Sequence, residues 1–139
     1  KMDANLSKQL EEIIDRGTRK NPLPIKKGNS IRIGKVIIRY SRHKGYIIFD
    51  SENSRQIHLA HSKPGALAIA KLFNEDKDFY CIKNADEVYA KHDNDCIVYE
   101  SMMEKATTPL KKDLFEIRLG VSEEKREKAR IELEGIIFG

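Results

Sequence analysis

The stretch HLAHSKPGALAIAKLF, residues 58–73, decides the fold because it changes from strand to helix within a few residues. Its first part alternates like a strand, and residues three apart on a strand point to opposite faces, so His58 and His61 cannot chelate one ion. Ser62 is a preferred N-cap residue, and Pro64 is tolerated in a first helical turn. We therefore predict a helix over residues 63–74. Its first amides could hold an anion, although Pro64 lacks one of them.

Three strands are predicted upstream of this junction, in SIRIGKVIIRY (30–40), YIIFD (46–50) and QIHLAH (56–61). The alternation of the first strand changes phase at Gly34, and a bulge there would bring its aliphatic residues onto one face. The same bulge would place Arg32, Lys35 and Arg39 together on the opposite face of the sheet. The predicted module is three antiparallel strands followed by one packed helix.

The N-terminal region is predicted to begin with a short amphipathic helix over residues 3–16, which Gly17 would end. Pro22 and Pro24 then favour an extended connection to the first strand.

The last third has the period of paired helices. An apolar seam with alternating spacings of three and four predicts a helix of about 25 residues. We call it the inner seam, and its members are Ile82, Ala85, Tyr89, His92, Cys96, Tyr99, Met103 and Ala106. Thr108 and Pro109 then open a second long helix over residues 109–137, which Gly120 could kink or split. A short connection favours an antiparallel hairpin.

The fold class that follows is α+β: an N-terminal helix, a three-stranded antiparallel sheet with one packed helix, and an antiparallel hairpin of long helices. Residues 1–76 form the basic first part and residues 77–139 the hairpin, packed together as one unit. At 139 residues the chain is long enough to bury a core.

Charge is unevenly distributed along the chain. Residues 16–49 contain ten Lys or Arg residues and no Asp or Glu, although the net charge of the whole sequence is only +4. Such asymmetry favours an anionic partner or head-to-tail self-association, although a basic surface kept soluble is an equally good explanation. A sheet with this charge could bind DNA or RNA through phosphate contacts. The candidate nucleic-acid-binding residues are Lys26, Lys27, Arg32, Lys35, Arg39, Arg42 and Lys44.

Self-association is the leading functional hypothesis, because a long seam beside a small globular body usually pairs with a copy of itself. The apolar cluster at the C-terminus, where a fraying helix end should be polar, indicates docking either back onto the sheet module or onto another subunit, and we prefer the second. The candidate oligomer-interface residues are Tyr89, His92, Cys96, Tyr99, Met103, Ile136, Ile137 and Phe138.

Catalytic and cofactor chemistry finds little support in the motifs. His92 and Cys96 share a helix face but occupy the inner seam, and zinc needs two further ligands. No nucleophile-elbow sequence is present, although converging carboxylates could still form an acid–base pair. We therefore expect a non-catalytic protein without metal, cofactor or small-molecule substrate. Cys81 and Cys96 form no disulfide framework and no apolar run could span a membrane, so we expect a cytoplasmic location.

Two resemblances add context. The order of strands and helix over residues 31–74 resembles the three-stranded DNA-binding domain of tyrosine recombinases, which implies binding of DNA by the sheet. The stretches YIIFDSENSRQI, HSKPGALAIAKLF, NDCIVYESMMEKATT and LFEIRLGVSEEKREKA resemble small uncharacterised proteins of tailed phages that infect marine bacteria. This second resemblance implies an accessory protein in an infected host cell and assigns no site residues. Gly120 departs from the acidic residue expected there.

Overall fold

The computed structural model describes residues 30–139, and the predicted helix over residues 3–16 lies outside this range. Residues 30–139 form an α+β fold with one four-stranded sheet and three α-helices. The strands are β1 (Ser30–Ile33), β2 (Val36–Ser41), β3 (Gly45–Asp50) and β4 (Gln56–Ala60). The helices are α1 (Lys63–Asn74), α2 (Lys83–Lys105), which follows a 3₁₀ turn at Tyr80–Ile82, and α3 (Pro109–Phe138).

The sheet is an antiparallel meander in the order β1-β2-β3-β4, with one strand more than predicted. The difference arises at Gly34: Ile33 pairs with Val36, so Gly34 and Lys35 form a two-residue hairpin turn instead of a bulge. Gly34 has a φ of +58°, which glycine adopts without strain. The turn also corrects the position of Lys35, which lies in the loop and not on a strand face.

The predicted division of the sheet into an apolar and a basic face survives this change. Cross-strand partners share a face, so the pairs Ile33–Val36 and Ile31–Ile38 place these aliphatic side chains together. Ile33, Val36 and Ile38 are fully buried, whereas Arg32 is exposed on the opposite face. A hairpin and a bulge therefore give the same facing of side chains from different backbones.

Helix α1 covers the residues predicted for it and forms the middle of the structure. The hydroxyl of Ser62 accepts a hydrogen bond from the amide of Gly65 at 3.1 Å, which confirms the predicted N-cap. All residues from 63 to 72 are buried, because α1 contacts strands β2, β3 and β4 as well as both long helices. Even the ammonium group of Lys71 is enclosed, and it donates to the carbonyl oxygen of Ile136 in α3 at 2.7 Å.

Helices α2 and α3 form the predicted antiparallel hairpin. Tyr99 stacks on Phe115 with 6.5 Å between ring centroids, and Arg126 donates to Asp93 at 2.9 Å. Thr108 caps α3, which continues through Gly120 without a break for 30 residues. At about 1.5 Å per residue, α3 is roughly 45 Å long. Within residues 30–139 no helix combines the length and the apolar character needed to cross a membrane.

A buried carboxylate fastens the hairpin to the sheet module. Asp86 in α2 is 2% exposed and accepts hydrogen bonds from the amides of His61 and Ser62 at 2.8 and 2.9 Å, and from the Ser62 hydroxyl at 2.6 Å. It approaches Gly65 so closely that a Cβ there would lie 2.0 Å from its Oδ1 atom. The carboxylate therefore sits at the N-terminus of α1, where the helix dipole and free amides favour negative charge.

We predict that Asp86→Ala lowers the free energy of unfolding by about 3 kcal/mol, because the part-buried amide of His61 and the buried amide and hydroxyl of Ser62 lose their acceptor. Urea denaturation monitored by circular dichroism measures the loss. The neighbouring Glu87 is exposed, so Glu87→Ala is the matched control and should stay within about 0.5 kcal/mol of the wild type. Equal midpoints for the two variants would contradict the assigned role of Asp86.

Candidate functional site

The face of the sheet that points away from α1 carries two arginines around an apolar centre. Its members share this face through the pairs Arg32–Ile37, Ile37–Phe49, Arg39–Ile47 and Ile47–Leu59. The Arg39 guanidinium lies 5.3 Å from the centre of the Phe49 ring, within the range of a cation–π contact. We call these six residues the outer sheet face: Arg32, Ile37, Arg39, Ile47, Phe49 and Leu59.

The other predicted nucleic-acid-binding residues do not join Arg32 and Arg39. Lys35 lies in the β1–β2 turn, where its ammonium group pairs with Asp76 at 3.2 Å. Arg42 and Lys44 are exposed in the β2–β3 turn, at the opposite end of β2. Lys26 and Lys27 lie outside the described residues. Lys35, Arg42 and Lys44 therefore flank the outer sheet face, whereas Arg32 and Arg39 lie on it.

The predicted oligomer-interface residues are largely used within the chain. Cys96 and Ile137 are fully buried, and Ile136 and Tyr89 are half-buried against the main core. Three further members, which are also half-buried, lie on the inner seam of α2 and face α3 within the hairpin: His92, Tyr99 and Met103. Phe138 differs from these seven, because 41% of its surface is exposed. The inner seam is thus filled by α3 of the same chain, which leaves Phe138 as the accessible member of the predicted set.

A second apolar line runs along the outside of α3. Every large apolar side chain that α3 exposes falls on it, with spacings of four and three residues in alternation. Three polar or small residues complete the repeat: Glu124, Lys128 and Gly135, all exposed. We call this line the outer seam, and its nine members are Leu110, Leu114, Ile117, Val121, Glu124, Lys128, Ile131, Gly135 and Phe138.

The outer seam has the geometry of a coiled-coil contact, and no element within residues 30–139 pairs with it. Leu110 is 80% exposed, Ile117 66% and Ile131 59%, which is unusual for aliphatic residues repeated along one helix. At about 100° per residue, Val98 and Met102 of α2 fall on the same side of the hairpin and widen the distal end of this surface. Both are exposed. The first four members are visible in the sequence, but Glu124 and Lys128 interrupt the line and conceal its continuation.

His92 occupies an apolar position of the inner seam at an electrostatic cost. Its Nδ1 atom is buried without a hydrogen-bond partner, and the nearest carboxylate oxygen, on Asp95, is 3.7 Å away. Burial lowers the pKa of the imidazole below its usual 6.5, and the charges of Lys91 and, from α3, Lys125 lower it further, while Asp95 opposes them. Cys96 lies fully buried one turn away. Among residues 30–139 no three His, Cys, Asp or Glu side chains are grouped so that they could hold a metal ion.

A cavity of about 360 Å³ lies between the β2–β3 turn, the start of α1 and α2. Arg42, Lys63, Tyr89 and Asp93 are among its lining residues. Burial raises the pKa of Tyr89, so its hydroxyl stays protonated, and Asp93 is paired with Arg126. The N-terminus of α1 at its edge already holds the Asp86 carboxylate, so the anion that the sequence allows there is a side chain of the protein itself.

Comparison with known proteins neither supports nor opposes these assignments. Family models, curated proteins and solved structures were each compared with the chain, and none matches. The resemblances to phage proteins and to recombinase domains therefore remain predictions, and function must be inferred from the surfaces described above.

We predict that His92 makes the protein less stable in mild acid. The unfolded chain binds a proton on His92 near pH 6.5, whereas the folded chain resists protonation to a lower pH. The unfolded state therefore binds more protons as the pH falls below about 7, and the free energy of unfolding decreases. Urea denaturation between about pH 7.5 and pH 5.5 measures this decrease.

His92→Gln should make the decrease shallower, because glutamine cannot be charged. Asn94→Gln at an exposed position of the same helix supplies the control, because it neither adds nor removes a titratable group. A slope that is identical in wild type and His92→Gln would show that burial of His92 does not destabilise its protonated form.

Proposed function

We propose that the protein is a non-catalytic accessory or assembly protein, of the kind found in tailed phages, that self-associates through its C-terminal helices. The observation that carries the proposal is the outer seam, in which six large apolar side chains of α3 repeat at heptad spacing and face solvent. Such a stripe favours pairing with another helix, since a helix of a monomer normally turns one apolar face inward. The inner seam provides the apolar face that the hairpin turns inward within the chain. The outer seam is a further apolar face beyond it.

The energetics favour association over exposure. Complete burial of one aliphatic side chain contributes about 1.5–3 kcal/mol. Several such side chains per copy exceed the lower estimates of the entropy lost on association, about 4 kcal/mol. The outer seam also lies on a helix that is already fixed: Leu133 and Ile137 are fully buried on its other side, so little further ordering is needed.

We predict that the full chain is oligomeric at high micromolar concentration and that Ile117→Glu weakens association at least tenfold. Each copy in the oligomer loses an apolar contact worth about 1.5–3 kcal/mol and gains a charge beside apolar residues. Light scattering coupled to size exclusion measures the mass. Glu116→Lys provides a matched control, because Glu116 is exposed on the same helix but outside the outer seam. A monomeric wild type would refute the proposal.

The second candidate function is nucleic-acid binding by the outer sheet face. The specific observation in its favour is the contact of Arg39 with Phe49, which combines a cation and an aromatic ring on one exposed strand pair. Aromatic rings stack on unpaired bases, and arginine binds phosphate, so the two groups together suit a single strand. The adjacent turns supply Lys35, Arg42 and Lys44 for further phosphate contacts.

We predict that the double variant Arg32→Glu/Arg39→Glu weakens binding to single-stranded DNA or RNA and lowers the slope of log K against log salt by about two. Fluorescence anisotropy over a salt series measures both quantities. Lys105→Glu/Lys112→Glu changes the net charge equally at exposed positions of the hairpin and serves as control. Equal binding by the two double variants, or no binding by the wild type at low salt, would exclude this function for the outer sheet face.

A further inference from the structure

The outer seam is interrupted near its centre by two opposite charges, and their order identifies the partner. We propose that a second copy of the chain pairs with α3 in the antiparallel direction, so that Glu124 of each copy lies opposite Lys128 of the other. This inference rests on the proposed self-association and adds its direction and register. Glu124 and Lys128 are both exposed, and neither takes part in an ion pair found within residues 30–139.

Six of the seven remaining members of the outer seam match one another in the same register, and Leu110 has no opposite member among the nine. Val121 lies opposite Ile131 of the second copy, and Leu114 lies opposite Phe138. Ile117 lies opposite Gly135, where an added Cβ would meet no atom within 4 Å, so there is room for the larger side chain. A two-fold axis repeats each pairing, so the contact is closed and produces a dimer.

Other arrangements place Glu124 and Lys128 next to like charges or apolar side chains. Parallel helices in register would put Glu124 beside Glu124 and Lys128 beside Lys128, and like charges in a seam oppose pairing. An antiparallel register shifted by one heptad would put Glu124 opposite Val121 and Lys128 opposite Ile117. Each charge would then be enclosed without a counter-ion, which costs more than the apolar contact contributes. The two central charges thus disfavour the parallel pairing and this shifted register relative to the proposed one.

The other elements of residues 30–139 leave this surface accessible. Helix α1 packs against α3 through the side that carries Leu133 and Ile137. Ile131 and Phe138 point away from that contact and are 59% and 41% exposed. Val98 and Met102 lie beside the Leu114 end of the seam, where the Phe138 end of the second copy would reach them. The second copy can therefore approach α3 along its whole length.

Disulfide trapping in the full chain tests the register. The background carries Cys81→Ser, because Cys81 is exposed, whereas Cys96 is fully buried and shielded. A mixture of Val121→Cys and Ile131→Cys chains should form a covalent mixed dimer under mild oxidation. Val121→Cys alone should not cross-link, because its two cysteines would lie about ten residues, or roughly 15 Å, apart along the paired helices. A disulfide needs Cα atoms within about 7 Å.

Charge exchange gives an independent measurement. Glu124→Lys alone and Lys128→Glu alone should each weaken the dimer at least tenfold, since two attractive pairs become repulsive. An equal mixture of the two variants should restore a dimer, as should the double exchange within one chain. For parallel helices in register each single variant keeps two like-charge contacts, as in the wild type, so little change is expected.

The outcomes separate the two proposals. A wild type that is monomeric at high micromolar concentration overturns self-association and the register together. A wild type that dimerises while Val121→Cys cross-links to itself, or while the mixture fails to cross-link, overturns the register and leaves self-association standing. Dimerisation with the mixed cross-link and loss of the dimer in both single charge variants supports both. An assembly larger than a dimer overturns the closed two-fold arrangement.

Discussion

The hydrogen bonds that Asp86 accepts from residues 61 and 62 are the constraint on which the remaining architecture depends. A carboxylate buried to 2% is tolerated only where donors replace its water, and here the start of α1 supplies three of them. The same contact satisfies amides that the first turn of any helix leaves without partners. The Asp86 carboxylate therefore finds donors that replace its water and provides an acceptor for these amides. The same contact fixes where α2 begins relative to the sheet. The close approach requires glycine at position 65, since a Cβ there would meet the carboxylate.

From this junction the positions of the long helices follow. Asp86 fixes the N-terminal end of α2, the hairpin returns α3 antiparallel, and the far end of α3 docks on α1. Lys71 secures that end by donating to the Ile136 carbonyl, a hydrogen bond between residues 65 positions apart. The second half of α3 therefore packs with its inner side against the rest of the same chain. The outer side is held rigid by the same contacts and remains open, which is the condition for a preorganised interaction surface.

Much of the fold can be predicted from local features of the sequence. The rest depends on contacts between residues far apart in the chain, which local features do not indicate. Ser62 and Pro64 mark the start of α1 without reference to any other element, and the heptad spacing of α2 marks its length. At Gly34 a bulge and a two-residue turn give the same facing of side chains, so the alternation alone could not count the strands. Asp86 carries no local signature, because its donors lie 24 and 25 residues earlier in the chain.

The candidate site shows the same division between what a pattern fixes and what it leaves open. The inner seam correctly indicated a helix that needs a partner, but spacing cannot say whether that partner belongs to the same chain, and α3 fills it. The predicted oligomer interface therefore includes residues such as Cys96, which is fully buried within one chain. The outer seam is hard to recognise in the sequence, because Glu124 and Lys128 divide its apolar residues into two groups.

If α3 pairs as proposed, a helix with a seam on each side would couple folding to association. Its inner side stabilises the monomer through Leu133 and Ile137, and its outer side would stabilise the dimer through residues such as Ile117 and Ile131. A partner that binds the folded chain and not the unfolded one adds to the free energy of unfolding in proportion to the logarithm of its concentration. The polar residues in the middle of α3 would then have a physical reason in the proposed dimer. In the proposed dimer Glu124 and Lys128 would oppose other pairings along the seam, and each would face its opposite charge in the second copy.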